Sequence, residues 1–107
     1  RILVLGLAYK KNIDDTRESP AVEIMDILQS KGANIDYSDP HVPIFPRKRD
    51  YHFELESIPL NAENIFSYDC ILLTTDHDSF DYKLLQQHAK LIVDTRGRLK
   101  NSNVVMA

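Results

Sequence analysis

Lys10, Lys11 and Arg17 fall within eight positions, in the stretch Gly6 to Pro20 that joins an apolar run to an amphipathic one. Lysine offers an anion a point charge, and arginine a flat, two-pronged donor. The N–H groups that open a helix after Ser19 also favour negative charge. Arg96 follows a later apolar run and returns to the same edge if the apolar runs are parallel strands. Together these groups suit a diphosphate or a carboxylate. The opposing reading is that Asp14, Asp15 and Glu18, in the same stretch, pair with the cations and leave nothing for a ligand. Arg17 is open in the same way, since Asp14 or Glu18 can hold it for structure. Tyr9 either lays its ring on a base or sugar or covers the end of the sheet.

Other reactive side chains read more plainly. Cys70 opens an apolar run with no histidine set beside it by spacing, so it reads as a small buried hydrophobe. His41, His52, His77 and His88 show no metal-ligand spacing. His77, between Asp76 and Asp78 at a strand end, is the one that stands out, and turn chemistry is the reading adopted for it. Arg47-Lys48-Arg49 reads as a solvated run. No G-x-G-x-x-G occurs, so the primary dinucleotide fingerprint is missing.

The elements that position these residues follow from periodicity. Ile2 to Leu5 is a continuous apolar run, as in a parallel strand covered on both faces. Gly6 then lets the backbone turn or approach something closely. Ser19-Pro20 pairs an N-cap with proline at the first helical position, and the spacing predicts a helix from about 20 to 31, stopped by Gly32. Ala33 to Ser38 is a second strand closed by Asp39-Pro40, which makes a βαβ unit. His41 to Asp50 is a loop. His52 to Ile58 alternates polar and apolar residues and reads as an extra, edge-type strand. Asn61 to Tyr68 is a short helix, Cys70 to Thr74 a buried strand and Thr75 to Ser79 its polar turn. Tyr82 to Ala89 is a helix, and Leu91 to Asp94 the last expected strand before the loop Thr95 to Arg98. The expected fold is α/β: a Rossmann-like three-layer domain of about five mainly parallel strands with helices on both faces. A connection from strand to helix normally takes ~2–6 residues, so the stretch before Ser19 is long, and such loops face ligands in open α/β sheets.

Bulk properties agree. The 107 residues fit one domain, and 43% hydrophobic with 27% charged residues is ordinary for a globular chain. A formal charge of -3 argues against a nucleic-acid module. A single cysteine excludes an internal disulfide and fits the cytoplasm. No apolar run approaches the ~20 residues of a membrane span. The chain opens at Arg1 directly on a strand, and is expected to be a piece of a longer protein.

The run G-L-A-Y-K-K-N-I-D-D-T-R-E-S-P-A (6 to 21) resembles the signature opening the C-terminal domain of the UDP-glucose/GDP-mannose dehydrogenase family. Y-S-D-P-H-V-P (37 to 43) is similar to that domain's second-strand motif, T-T-D-H-D-S-F (74 to 80) to its strand-end turn, and V-D-T-R (93 to 96) to its closing D-x-R. The likeness spans roughly residues 1 to 98, and the wording N-I-D-D-T-R-E-S-P is closest to bacterial members acting on UDP-N-acetylated hexosamines.

The resemblance implies an enzyme that oxidises a UDP-sugar C6 alcohol to a uronic acid in two NAD-dependent steps, for cell-surface polysaccharide synthesis. Residues 1 to 107 would be its C-terminal nucleotide-sugar-binding domain, inactive alone and holding no catalytic residue. The catalytic cysteine and the main NAD fold would lie in preceding regions. Tyr9 and Lys10 match the family's aromatic–lysine substrate pair, Arg96 its substrate-contacting arginine, and Arg17 an arginine that reaches NAD. Gly97-Arg98 departs from some members in wording, which leaves both Arg96 and Arg98 open as the substrate contact. Implied partners are the UDP-sugar, the N-terminal and central domains of the same chain, and further copies in a homo-oligomer. Neither nucleic acid nor membrane is implied. Two other classes fit the half-fold: a stand-alone nucleotide-binding or regulatory module, and a receiver-like domain chelating a metal. For the latter, Asp14-Asp15 come too late and Arg96 stands where a lysine is wanted.

Overall fold

The structure is a computed structural model that describes residues 1–8, 19–46, 53–99 and 103–106. Its elements are β1 (Ile2–Leu5), α1 (Pro20–Ser30), β2 (Ile35–Ser38), α2 (Ala62–Phe66), β3 (Cys70–Leu73), α3 (Tyr82–His88), β4 (Ile92–Asp94) and β5 (Val104–Met106). All neighbouring strands run parallel in the order β2-β1-β3-β4-β5. The chain starts at β1, steps out to β2, then crosses back to β3 on the other side. That reversal between β1 and β3 is the switch point at which open sheets of this order place ligands, outside the carboxyl ends of the strands.

The unbroken apolar run of β1 follows from its central place. Leu3 and Leu5 belong to one apolar cluster, with Ile65 of α2 and Leu85 of α3. Val4, between them, belongs to the other, with Ala21, Val22 and Met25 of α1 and Tyr37 of β2. Helices therefore cover both faces, as the sequence predicts.

Helix α1 begins at Pro20 and is followed by Gly32 at φ +94°. Ser19 has the extended backbone of an N-cap, yet its side chain does not cap the helix. Its Oγ instead donates to the carbonyl of Leu7 at 2.6 Å. Leu7 is fully buried, so its carbonyl needs a donor that water cannot supply. Asn61 and Asp81 do cap α2 and α3, accepting from the N–H groups of Asn64 and Leu84.

Two expectations about strands are corrected. The alternating segment from His52 to Ile58 is no strand over its described part. It makes one antiparallel bridge, Glu56 to Ile44, and its Ser57 N–H and Leu55 carbonyl bond the loop at Pro43 and Phe45. The alternation does mark a wet and a dry side: Phe53 packs on Phe45, with ring centroids 5.1 Å apart, while Glu54 and Glu56 stay exposed. Its backbone partner is mainly a partly buried loop, and only its last residue reaches the sheet edge, the Ile58 N–H donating to the Tyr37 carbonyl of β2 at 3.0 Å. The fifth strand is instead β5, a three-residue run near the end of the chain that is too short for periodicity to mark. Asn103 anchors it through Nδ2 to the carbonyls of Gln86 and Ala89. The basic run Arg47 to Arg49 lies outside the described residues.

Gly6 is the tightest point of the switch. Its φ is +90°, and a Cβ placed on it would lie 2.4 Å from Thr75 Cβ and 2.5 Å from the Thr75 carbonyl. Gly6→Ala adds left-handed strain to overpacking against backbone, and is expected to cost roughly 2–5 kcal/mol. Urea unfolding of the two proteins measures it, and a change below about 1 kcal/mol would show that the two loops separate easily.

Candidate functional site

Because β1 to β4 are parallel, the residues that follow them gather at one edge of the sheet: Gly6, Asp39, Thr74 and Thr95. The loops there are stitched together by side chains. Thr74 Oγ1 donates to the carbonyls of Leu5 and Gly6, at 2.9 and 2.5 Å. Thr75 Oγ1 donates to the Ala8 carbonyl at 2.6 Å.

Asp39, at the end of β2, has no exposed surface. Its Oδ2 accepts from the N–H groups of Leu7 (2.7 Å) and Ala8 (3.0 Å) and from Nε2 of His77 (2.9 Å). Its Oδ1 accepts from the His41 N–H at 2.8 Å. Burial by itself pushes this carboxyl up. The hydrogen bonds from His77 and from the Ala8 and His41 N–H groups outweigh burial and hold it below the usual carboxylate range. Asp39 is therefore an anion, and Nε2 of His77 carries the proton between them. His77 is also fully buried, with its ring against His41 (centroids 4.6 Å apart) and Phe80 (5.4 Å). Its carbonyl accepts from the Tyr82 hydroxyl at 2.6 Å. Burial pushes that phenol up to about 12, so it stays a donor. The turn chemistry read for His77 in the sequence is thus corrected: the side chain is a buried partner of another loop.

A second buried carboxylate shapes the loop beyond β4. Asp94 Oδ1 accepts from the N–H groups of Arg96 (2.8 Å) and Gly97 (3.0 Å), and Oδ2 from Leu99 (2.8 Å). The two arginines that this loop carries are used differently. Arg98 lies over the Tyr82 ring, 4.5 Å from its centroid, and pairs with Asp76 and Asp78 at 3.5 and 3.3 Å. Arg96 is exposed, and its Nε donates to the Thr74 carbonyl at 2.9 Å. Among the described residues its guanidinium has no carboxylate partner. Arg96 thus leans from the end of β4 toward β3, carrying a charge that this part of the chain does not neutralise.

Of the residues singled out in the sequence, Arg96 stands on the expected edge. Tyr9, Lys10 and Arg17 lie outside the described residues, as do Lys11, Asp14, Asp15 and Glu18. The described chain reaches Ala8 on one side of that loop and Ser19 on the other, both at this edge. Cys70 pairs with Ile2 at the amino end of the strands, the opposite edge from Arg96, and burial pushes its thiol up. Among the described residues no cluster of three histidine, cysteine or carboxylate side chains is arranged to hold a metal. No helix is long and apolar enough to cross a membrane, among those residues. Sequence reasoning missed Asp39, Thr74 and Thr75. S-D-P and T-T-D-H are visible as turn signals, but nothing in a linear reading says which distant groups they hold.

A domain model described as UDP-glucose/GDP-mannose dehydrogenase family, UDP binding domain, matches residues 3–101. A UDP-N-acetyl-D-mannosamine dehydrogenase of Methanococcus vannielii is 32% identical over 110 aligned positions, covering 95% of this chain and 24% of the relative. An NDP-N-acetyl-D-galactosaminuronic acid dehydrogenase of Ralstonia solanacearum is 37% identical over 102, covering 90% and 22%. Among solved structures, the UDP-D-ManNAc dehydrogenase of Pyrococcus horikoshii aligns with a TM-score of 0.69 at 26% identity, over 98% of this chain and 24% of that one. The chain spans about a quarter of the length of the curated relatives it matches. Fold, strand-end motifs and likeness along nearly the whole chain agree: it belongs to the UDP-glucose/GDP-mannose dehydrogenase family, where it corresponds to the UDP binding domain.

Proposed function

We propose that this chain is the C-terminal nucleotide-sugar-binding domain of a longer NAD-dependent dehydrogenase. That enzyme oxidises the C6 alcohol of a UDP-sugar to a carboxylate, for cell-surface polysaccharide synthesis. The observation that carries the reading is the match to a UDP binding domain over residues 3–101. Two of the relatives are named for N-acetylated sugar nucleotides, which supports a UDP-N-acetylhexosamine as the substrate class. The N-terminal and central domains of the same chain, a homo-oligomeric assembly and a cytoplasmic location belong to this reading.

The chemistry assigned to this domain is positioning. Lys10 supplies a point charge and Arg96 a flat donor to the diphosphate, with Tyr9 against the base or sugar. Binding energy from the diphosphate, remote from C6, then holds the reacting carbon in place. The guanidinium of Arg96 has no carboxylate partner among the described residues, whereas Arg98 is taken up by two aspartates, and this supports Arg96 as the substrate contact. NAD, when bound to the whole enzyme, would supply the hydride acceptor for the oxidation at C6. The chain has no glycine-rich dinucleotide turn, so its share of that cofactor is assigned to Arg17 alone, and the rest to the N-terminal domain.

In the full-length enzyme, Lys10→Ala is expected to raise the sugar KM about 10- to 100-fold, the scale of one charged hydrogen bond. The KM for NAD should change little, and an unchanged sugar KM would remove Lys10 from the site. Arg17→Ala should weaken NAD more than sugar by isothermal titration, and the reverse order would reject that role. Arg96→Ala should raise the sugar KM more than Arg98→Ala does; if Arg98 has the larger effect, the contact moves to Arg98. The isolated domain should bind UDP weakly and oxidise nothing, whereas turnover by it would overturn the division of labour.

A further inference from the structure

We propose that Asp39 and His77 form a positioning pair for the nucleotide-sugar loop, setting the direction in which the chain leaves Ala8 for Tyr9 and Lys10. This rests on the reading of that loop given above. All four main-chain polar groups of Leu7 and Ala8 are held by side chains from other parts of the fold. The two N–H groups donate to Asp39, the Leu7 carbonyl accepts from Ser19, and the Ala8 carbonyl accepts from Thr75. The Ala8 carbonyl shares a rigid peptide plane with the N–H of Tyr9. Holding that carbonyl from one side, and the Ala8 N–H from the other, orients the plane from which Tyr9 and Lys10 depart.

Asp39 can act in this way only while its own orientation is determined. One carboxylate oxygen is shared by three donors, and His77 is the only side chain among them. His77 is in turn braced by the Tyr82 hydroxyl on its carbonyl and by Phe80 and His41 on its ring. The pair thus transmits the position of the loop after β3 to the loop after β1, across the switch point where a ligand would sit. Neither side chain reaches solvent, so neither touches substrate; both act through Leu7 and Ala8.

His77→Phe keeps a flat ring for the contacts with His41 and Phe80 and removes the donor. His77→Gln keeps a donor the same number of bonds from the backbone as Nε2. The full-length enzyme is assayed with a UDP-sugar and NAD. His77→Phe is expected to raise the sugar KM about tenfold, the scale at which a misplaced supporting residue acts. The KM for NAD should stay within about twofold, and His77→Gln should recover most of the loss. A purely structural role predicts something else: a lower Tm with the sugar and NAD constants of the folded enzyme unchanged or moving together, and that result would overturn the pair. If His77→Phe does not fold, Tyr82→Phe, which removes only the brace, decides. A selective rise in sugar KM of about threefold supports the pair, and an unchanged one overturns it. Wild-type enzyme that turns over no UDP-sugar would defeat the functional reading and the pair with it. Turnover with indifferent variants would defeat the pair alone.

Discussion

A carboxylate out of reach of solvent has to be satisfied by the protein itself, and at Asp39 that requirement ties three loops together. Leaving such a charge uncompensated in the interior costs several kcal/mol. Asp39 avoids this by accepting from the start of the β1 loop, from its own turn at His41 and from His77 beyond β3. Asp94 does the same within one loop, accepting three main-chain N–H groups at the end of β4. An aspartate thus closes each of two strands at the carboxyl edge of the sheet. Each places a loop as a helix cap places a first turn, by giving otherwise orphaned N–H groups an acceptor.

These acids also decide which cations remain available. The chain as a whole is negative, at -3. Asp76 and Asp78 take up Arg98, and Tyr82 lies beneath it. Arg96, two residues earlier, is turned by Asp94 toward Thr74 and keeps its charge exposed. The acids lie against one arginine and away from the other, which leaves a positive charge exposed at this edge that the net charge of the domain does not reveal.

Much of this was legible in the sequence. The apolar runs, the Ser-Pro helix start and the Gly32 stop each act within a few residues, and strands β1 to β4 and helices α1 to α3 stand where periodicity puts them. The carboxyl edge was legible too, because parallel strands send every following loop the same way. Less legible were features that depend on a distant partner. His52 to Ile58 has a sound period of two, but a loop around Phe45 covers its dry side, and Val104 to Met106 takes the place in the sheet. Ser19 looks like a cap and instead satisfies the buried carbonyl of Leu7. His77 looks like a turn residue and is buried against an aspartate of another loop.

The sequence by itself determined the family, the alternation of strand and helix, and the residue types at the carboxyl edge of the sheet, since all of these rest on local propensity and wording. Only the tertiary structure decided how that edge is held. The hydrogen bonds from Asp39 to the other two loops join residues 31, 32 and 38 positions apart, and those donated by the Thr74 hydroxyl span 68 and 69. Separations of that size carry no periodic signal. They are closed when the chain crosses from β2 past β1 to β3, and burial then leaves each polar group no partner but the one the fold has brought beside it.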